Sequence, residues 1–199
     1  MKPLFLLILL VWLQGCSVAP ISDNGRGTQL WPVRQQALEQ IRTWHLSGRV
    51  AVSAEEEAFT ATLVWKQGDA GVYELRLIAP FSQGTVRLDG DASGVVMRTS
   101  ESGAALYAPD AESILFQQFG WHVPVDALRY WVRGIPAPDS HAEKVLDNDG
   151  RLLELKQSGW QVRFLRYAQV GQWQLPEKIF LERDSVSVRI VIQDWQPGA

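Results

Sequence analysis

Apolar and polar positions in this chain keep two different periods. Val33, Ala37, Ile41 and Trp44 fall at i, i+4, i+8 and i+11, one apolar stripe, and predict a helix over Trp31–Trp44 with Pro32 in its first turn. The period then drops to two. Leu46, Gly48, Val50 and Val52 alternate with Ser47, Arg49, Ala51 and Ser53; Phe59, Ala61, Leu63 and Trp65 with Thr60, Thr62, Val64 and Lys66; Tyr73, Leu75 and Leu77 with Glu74 and Arg76; Val86 and Leu88 with Thr85, Arg87 and Asp89. Val95–Arg98 and Ala105–Tyr107 are shorter strand candidates, and Gly68–Gly71 and Asp89-Gly90 supply turns. Helical spacing returns in the middle. Asp110 can cap 111–119, with Ile114, Leu115 and Phe119 to one side and Gly120 as the stop; 125–133 follows, with Val125, Leu128 and Val132 in register and Gly134 closing it. The last third alternates again, through Leu153 and Leu155, Trp160 to Phe164, Ile179 and Leu181, and Val186 to Ile192.

The order is therefore helix, β-meander, two helices, β-meander. About ten or eleven strands with three amphipathic helices imply a mainly β (α+β) domain, a curved antiparallel sheet covered by helices. Alternation alone does not separate a filled core from a ligand cavity between sheet and helices.

Ahead of this pattern lies an apolar run of another kind, Leu4 to Leu13, preceded by Lys2 and followed by Gln14-Gly15-Cys16. It is too short to span a bilayer, which takes about 20 apolar residues, and it has the layout of an export signal. Leu13-Gln14-Gly15-Cys16 resembles the bacterial lipobox, departing from it at Gln14, where a small residue is usual. The resemblance implies cleavage before Cys16, acylation of Cys16, and a protein held on a membrane by its lipidated N-terminus; several acyl chains make such an anchor stable. Ser17 follows, where Asp would signal inner-membrane retention in enterobacterial lipoproteins, so the outer membrane is expected. Residues 17–29 are Ser/Asp/Asn/Gly-rich without an apolar period and read as a flexible tether. The expected organisation is a signal peptide over 1–15, lipidated cysteine and tether over 16–29, and one domain over 30–199.

Removing residues 1–15 of the 199 leaves 184, enough for one domain with a substantial core. The full chain carries 19 Lys+Arg against 22 Asp+Glu, and loss of Lys2 with the signal takes the net charge from −3 to −4. No basic block is present, so nucleic-acid binding has no support. Cys16 is the only cysteine, and once lipidated it leaves no thiol for a disulfide, a metal site or a nucleophile. The chain has no Gly-x-Ser-x-Gly, no His-Glu-x-x-His and no P-loop, and His45, His122 and His141 are scattered; neither enzymatic activity nor a cofactor or metal is expected. Asp147-Asn148-Asp149-Gly150 resembles the start of a calcium loop, but Ser158 stands where such a loop needs Glu, so it reads as a hairpin turn. Glu55-Glu56-Glu57 reads as a solvated hairpin tip. Nine Trp supply large apolar area suited to cores, interfaces and lipid-facing cavities alike.

One segment breaks the rule that hairpin tips are polar. Ala79-Pro80-Phe81-Ser82-Gln83-Gly84 joins two strands through a Pro/Gly-bounded loop carrying a large apolar residue. Phe81 either folds back onto the core or forms an exposed finger for lipid contact.

In sequence order, a helix ending near Trp44, Ser47-Gly48-Arg49-Val50-Ala51-Val52, the strand ending at Trp65, and the Pro80-Phe81…Gly84 hairpin leading into Thr85-Val86-Arg87-Leu88 are similar to the LolB family of outer-membrane lipoprotein receptors. Pro124-Val125…Leu128-Arg129-Tyr130-Trp131-Val132-Arg133-Gly134-Ile135-Pro136 resembles the family's P-x…L-x-x-W-x-x-G-x-P helix, and Trp160-Gln161-Val162 and Ile192-Gln193-Asp194-Trp195 also fit. The resemblance implies an incomplete antiparallel β-barrel with helices as a lid over an apolar cavity. It also implies a monomeric receptor that takes acylated lipoproteins from the periplasmic carrier LolA and passes them to the outer membrane without ATP. It makes Phe81 a membrane-insertion residue at a position where the family usually has Leu. Phe59, Leu63, Trp65, Phe119, Leu128, Trp131, Trp160 and Phe164 are candidate cavity liners or, equally, ordinary core. Two other readings stay open: a scaffold or assembly lipoprotein that binds only proteins, and a periplasmic lipid hydrolase.

Overall fold

A computed structural model describes residues 25–54, 57–80, 84–138 and 140–198. Cys16 and Phe81 both lie outside these residues.

Among the described residues, eleven strands form a single antiparallel sheet in the order β6-β5-β4-β3-β2-β1-β11-β10-β9-β8-β7. The first meander is β1 (Trp44–Ala54), β2 (Glu57–Gln67), β3 (Tyr73–Ile78), β4 (Thr85–Asp91), β5 (Gly94–Thr99) and β6 (Ala105–Ala108). The second is β7 (Ala142–Leu146), β8 (Leu152–Gln157), β9 (Trp160–Val170), β10 (Trp173–Arg183) and β11 (Val186–Pro197). Within each meander every strand pairs with its chain neighbour, because short turns allow it. The two join where the first strand meets the last, with Trp44 opposite Pro197 and Ala54 opposite Val186. At Ser47/Gly48 the β1–β11 register shifts. A Cβ on Gly48 would overlap the carbonyl oxygen of Val191, so this close approach of two backbones requires glycine.

That order leaves β6 and β7 as the two edges of a curved sheet. The chain must cross from one edge to the other, and it does so through α2 (Ala111–Phe119) and α3 (Val125–Trp131). These helices cover one face of the sheet, burying Ala111, Ile114 and Leu115 of α2 and Val125, Leu128 and Trp131 of α3 in the shared core. α2 begins and ends as its sequence dictates: the Asp110 carboxylate accepts from the Ser113 backbone N–H at 2.7 Å, and Gly120 stops it in the left-handed region at φ 71°.

α1 differs from its sequence-based expectation. It runs Arg26–Glu39 rather than Trp31–Trp44, so residues 26–29, assigned to the tether, are helical, and Trp44 opens β1. The stripe that suggested the later helix is not its packing face. Val33 is exposed, while Gly27, Trp31 and Leu38 are buried. Gly27 touches the β7–β8 turn so closely that a Cβ there would overlap the Asp147 carbonyl oxygen. α1 thereby covers the second meander, where the Arg34 and Arg151 guanidinium carbons sit 5.6 Å and 5.4 Å from the Tyr167 ring centre.

β7 and the first half of β10 are additions to the sequence reading. β7 is short and its residues are largely exposed, so it carries no strong alternation. In β10, Pro176 pairs with Tyr167 on β9, but the ladder to β11 begins only at Lys178, so the missing N–H of Pro176 costs that ladder nothing. Leu152 and Leu155 both face inward because the β7–β8 register shifts between Val145 and Leu146, skipping Leu153.

Candidate lipid-binding interior

Between the concave face and the helices lies one apolar cluster. Leu63, Trp65, Leu128, Trp131, Trp160 and Phe164 are buried members of it, and Phe59 and Phe119 pack partly buried against it. All eight residues named as candidate liners from the sequence therefore share one interior. β2 supplies Phe59, Leu63 and Trp65, β9 supplies Trp160 and Phe164, and the helices supply Phe119, Leu128 and Trp131. Trp44, Trp65, Trp131 and Trp160 are each less than 2 % exposed. The interior is thus largely packed with its own side chains.

Aromatic rings join the helices to the sheet. At the end of α2, Phe119 stacks on Trp121 at 4.8 Å and Trp121 meets Phe59 of β2 at 5.0 Å. From α3, the Trp131 ring lies 6.4 Å from Trp160 of β9. At the other end of β2, Trp65 packs against Trp44 at 5.2 Å, and Trp44 against Trp195 at 5.4 Å.

Two buried polar side chains hold the helices down. Gln157 occupies the inward position after Leu155 on β8 and is 2 % exposed. Its Oε1 accepts from Trp131 Nε1 at 2.8 Å and from the Ala137 N–H at 2.9 Å. Its Nε2 donates to the Ala137 carbonyl at 2.8 Å and to Ser140 Oγ at 2.8 Å. Every polar atom of this side chain is satisfied, so the amide latches α3 and the following loop to the sheet. Arg133, just beyond α3, donates from Nη1 to the Ile41 carbonyl at 2.8 Å and from Nε to the Arg129 carbonyl at 3.0 Å. Burial pushes its pKa down to about 10, still well above neutrality, so a charged guanidinium ties the end of α3 to the end of α1. The sequence reading assigned neither residue a part in the interior. The available signal for Gln157 was a polar side chain at an inward-alternating strand position.

Outside the interior, between β3 and β4, the Ala79 N–H donates to the Gly84 carbonyl at 3.0 Å. Ile78 and Pro80, at its base, are exposed. Asp147 Oδ1 accepts from the N–H groups of Asp149 at 2.9 Å and Arg151 at 2.8 Å, the geometry of the hairpin turn expected there. Among the described residues no group of His, Cys, Asp or Glu is arranged to hold a metal ion, and no helix is long and apolar enough to cross a membrane.

The profile of a family described as "Outer membrane lipoprotein LolB" matches residues 42–195, from just before β1 to the end of the core. The chain belongs to the LolB family. Among its relatives, the outer-membrane lipoprotein LolB of Nitrosococcus oceani is 41 % identical over 196 residues, covering 97 % of this chain and 96 % of that protein. The LolB of Pseudomonas paraeruginosa is 37 % identical over 191 residues, covering 94 % and 92 %. Solved structures share the fold at low identity. A LolA-superfamily protein from Nitrosomonas europaea superimposes with a TM-score of 0.53 at 8 % identity, over 85 % of this chain and 94 % of that one. A DUF1329-family protein from Desulfovibrio piger gives 0.56 at 9 % identity, over 88 % and 93 %. The curved sheet with its helical cover is thus common to LolB chains and to proteins of very different sequence.

Proposed function

We propose that this chain is an outer-membrane lipoprotein receptor, anchored through an acylated Cys16 and facing the periplasm, that accepts acylated lipoproteins from a LolA-like carrier. The observation that carries this reading is the apolar interior roofed by helices that cross from sheet edge to sheet edge, in a chain of the LolB family.

The energetics of the cargo set the mechanism. Exposing three acyl chains of about 15 carbons together would cost on the order of 35 kcal/mol, so release through water is closed. The chains must pass from one apolar enclosure to another, and the transfer runs without ATP when each acceptor in turn binds them more tightly. In the filled interior described above, acyl chains enter by lifting α2 and α3 from the sheet, and they replace contacts that the aromatic side chains otherwise make with each other. The loop bearing Phe81 then meets the bilayer and opens a path into it.

The direct test is to incubate the mature protein with a carrier–lipoprotein complex in the absence of nucleotide. Cargo should move to this chain and then to added liposomes; cargo that stays on the carrier rejects the reading. The anchor is checked by mass spectrometry of the mature N-terminal peptide, which should begin at Cys16 and carry acyl mass. An unmodified Cys16, or cleavage elsewhere, removes that part of the proposal. Leu63, 3 % exposed inside the cluster, probes the interior. Leu63→Trp should cost about 1–3 kcal/mol of stability by overpacking. At temperatures where the variant remains folded, cargo uptake should still fall at least about fivefold, because the extra ring occupies space the chains need; undiminished uptake would show that they go elsewhere.

A further inference from the structure

Among the buried side-chain atoms of the described residues that have no hydrogen-bond partner, three belong to residues that line one groove or pack against its lining. Trp65 Nε1 is an unpaired donor in a side chain only 1 % exposed, Gln67 Oε1 is an unpaired acceptor in one 6 % exposed, and Arg129 Nε is a third unpaired atom. Two other buried indoles are satisfied, Trp131 donating to Gln157 and Trp195 to the Pro176 carbonyl at 3.0 Å, whereas Trp160 Nε1, on β9, is unpaired without a second such atom on the same groove. A buried polar group left unpaired costs about 1–3 kcal/mol, so native folds keep few of them, and three at one site call for a reason.

Their placement supplies one. Trp65 and Gln67 are i and i+2 on β2 and share its inward face. Trp65 packs on Trp44, and Trp44, Gln67 and Arg129 all line an open groove of about 830 Å³, together with Arg42, Tyr130 and Arg133. Gln67 is held by its amide nitrogen, which donates to the carbonyls of Gly68 at 3.1 Å and Val72 at 3.0 Å, leaving its oxygen free to accept. Among the described residues, none of Arg42, Arg129 and Arg133 has a carboxylate within 4.0 Å. Donors to carbonyl oxygens, one acceptor for an N–H, and a solvent-open groove therefore meet at the edge of a dry apolar interior.

We infer that this end of the interior is the seat for the polar head of an acylated cysteine. The Trp65 indole and the Arg129 guanidinium donate to its ester and amide carbonyls, Gln67 Oε1 accepts its amide N–H, the acyl chains run inward past Trp44 and Trp65, and the polypeptide leaves through the groove. This rests on the receptor reading above and deepens it. Hydrocarbon alone satisfies none of these atoms, so the seat distinguishes acyl esters and amides from other apolar chains and fixes how deeply they enter.

The test compares two probes on the unlipidated mature chain (Cys16→Ser, exported by a cleavable signal without a lipidation motif). One is a dipalmitoyl-glyceryl cysteinyl peptide; the other is its dialkyl ether analogue, which keeps the chains and lacks the ester carbonyls. Wild type should bind the ester about tenfold more tightly than the ether. Trp65→Phe keeps an aromatic ring and removes the donor but leaves space in the core and lowers the melting temperature, so its readout is the ester-to-ether affinity ratio, which should fall to within about twofold. Arg129→Met should act the same way. Equal ester and ether affinities in wild type overturn the proposal without any variant, as does a variant that weakens both probes alike. Failure of wild type to bind either probe would overturn the receptor reading itself.

Discussion

Phe81→Glu should leave folding and uptake of cargo nearly intact and reduce delivery into liposomes about tenfold or more. The Ala79 N–H donates to the Gly84 carbonyl, Ile78 and Pro80 are exposed, and the preceding strand already places its inward residues, Tyr73, Leu75 and Leu77, in the core. An exposed side chain truncated or recharged typically changes stability by less than about 0.5 kcal/mol, whereas a buried Phe costs about 3–5 kcal/mol when truncated. Carrying a carboxylate toward the bilayer centre costs about 2.5–3.5 kcal/mol on insertion scales, which sets the size of the expected loss. Phe81→Leu, the side chain usual in the family, should retain delivery. The measurements are chemical denaturation, cargo uptake from the carrier, and transfer to liposomes. Unfolding of the Glu variant would place Phe81 in the core, and undiminished delivery would remove the loop from the mechanism.

The second large effect is expected at Gln157. Gln157→Leu removes a side chain that satisfies Trp131 Nε1, both backbone groups of Ala137 and the Ser140 hydroxyl, in a site 2 % exposed. Leu roughly matches the volume but leaves at least two buried donors without an acceptor, each worth about 1–3 kcal/mol. Urea unfolding should show a loss of about 2–4 kcal/mol. Because one of the orphaned donors belongs to Trp131, adding Trp131→Phe to the Leu variant should cost less than it does in wild type, a coupling readable in a double-mutant cycle. The same latch fixes α3 over the interior, so the weakened variant should exchange the amide protons of α3 faster than those of β1 and β11. A loss below about 0.5 kcal/mol, or strictly additive costs, would show that α3 is held by packing alone.

Both predictions depend on features that were unequally visible beforehand. Strand alternation located most of the sheet, because the side-chain period of two marks a surface with one buried face, and the buried sets Leu46/Val50/Val52, Leu63/Trp65 and Tyr73/Leu75/Leu77 are those the pattern names. Asp110 and Gly120 bounded α2 as read, because caps act within a single turn. α1 was misplaced by a turn or more, because Val33 of the apolar stripe is exposed and Ile41 is buried from beyond the helix end: Gly27, a residue with no apolar signal, is what lets the helix reach the β7–β8 turn. β7 and the Pro176 end of β10 were illegible for a similar reason, since their ladders depend on a partner strand and on which neighbour is absent, not on their own composition.

The eight candidate liners were identified from their apolar pattern and from a family resemblance, and the fold gathers them because alternation places side chains on one face while the β1–β11 pairing curls two meanders about a common interior. By itself, then, the sequence determined the element types, the apolar faces, the lipobox-like start and the membership in a family, all properties written in local period and residue order. Only the tertiary structure decided that the interior is packed with its own aromatics, that Gln157 and Arg133 fasten the helices over it, and that Trp65 Nε1, Gln67 Oε1 and Arg129 Nε have no partner. Those facts depend on contacts between residues far apart in the chain, and whether a buried polar atom finds a partner is settled by three-dimensional placement, which no local pattern encodes.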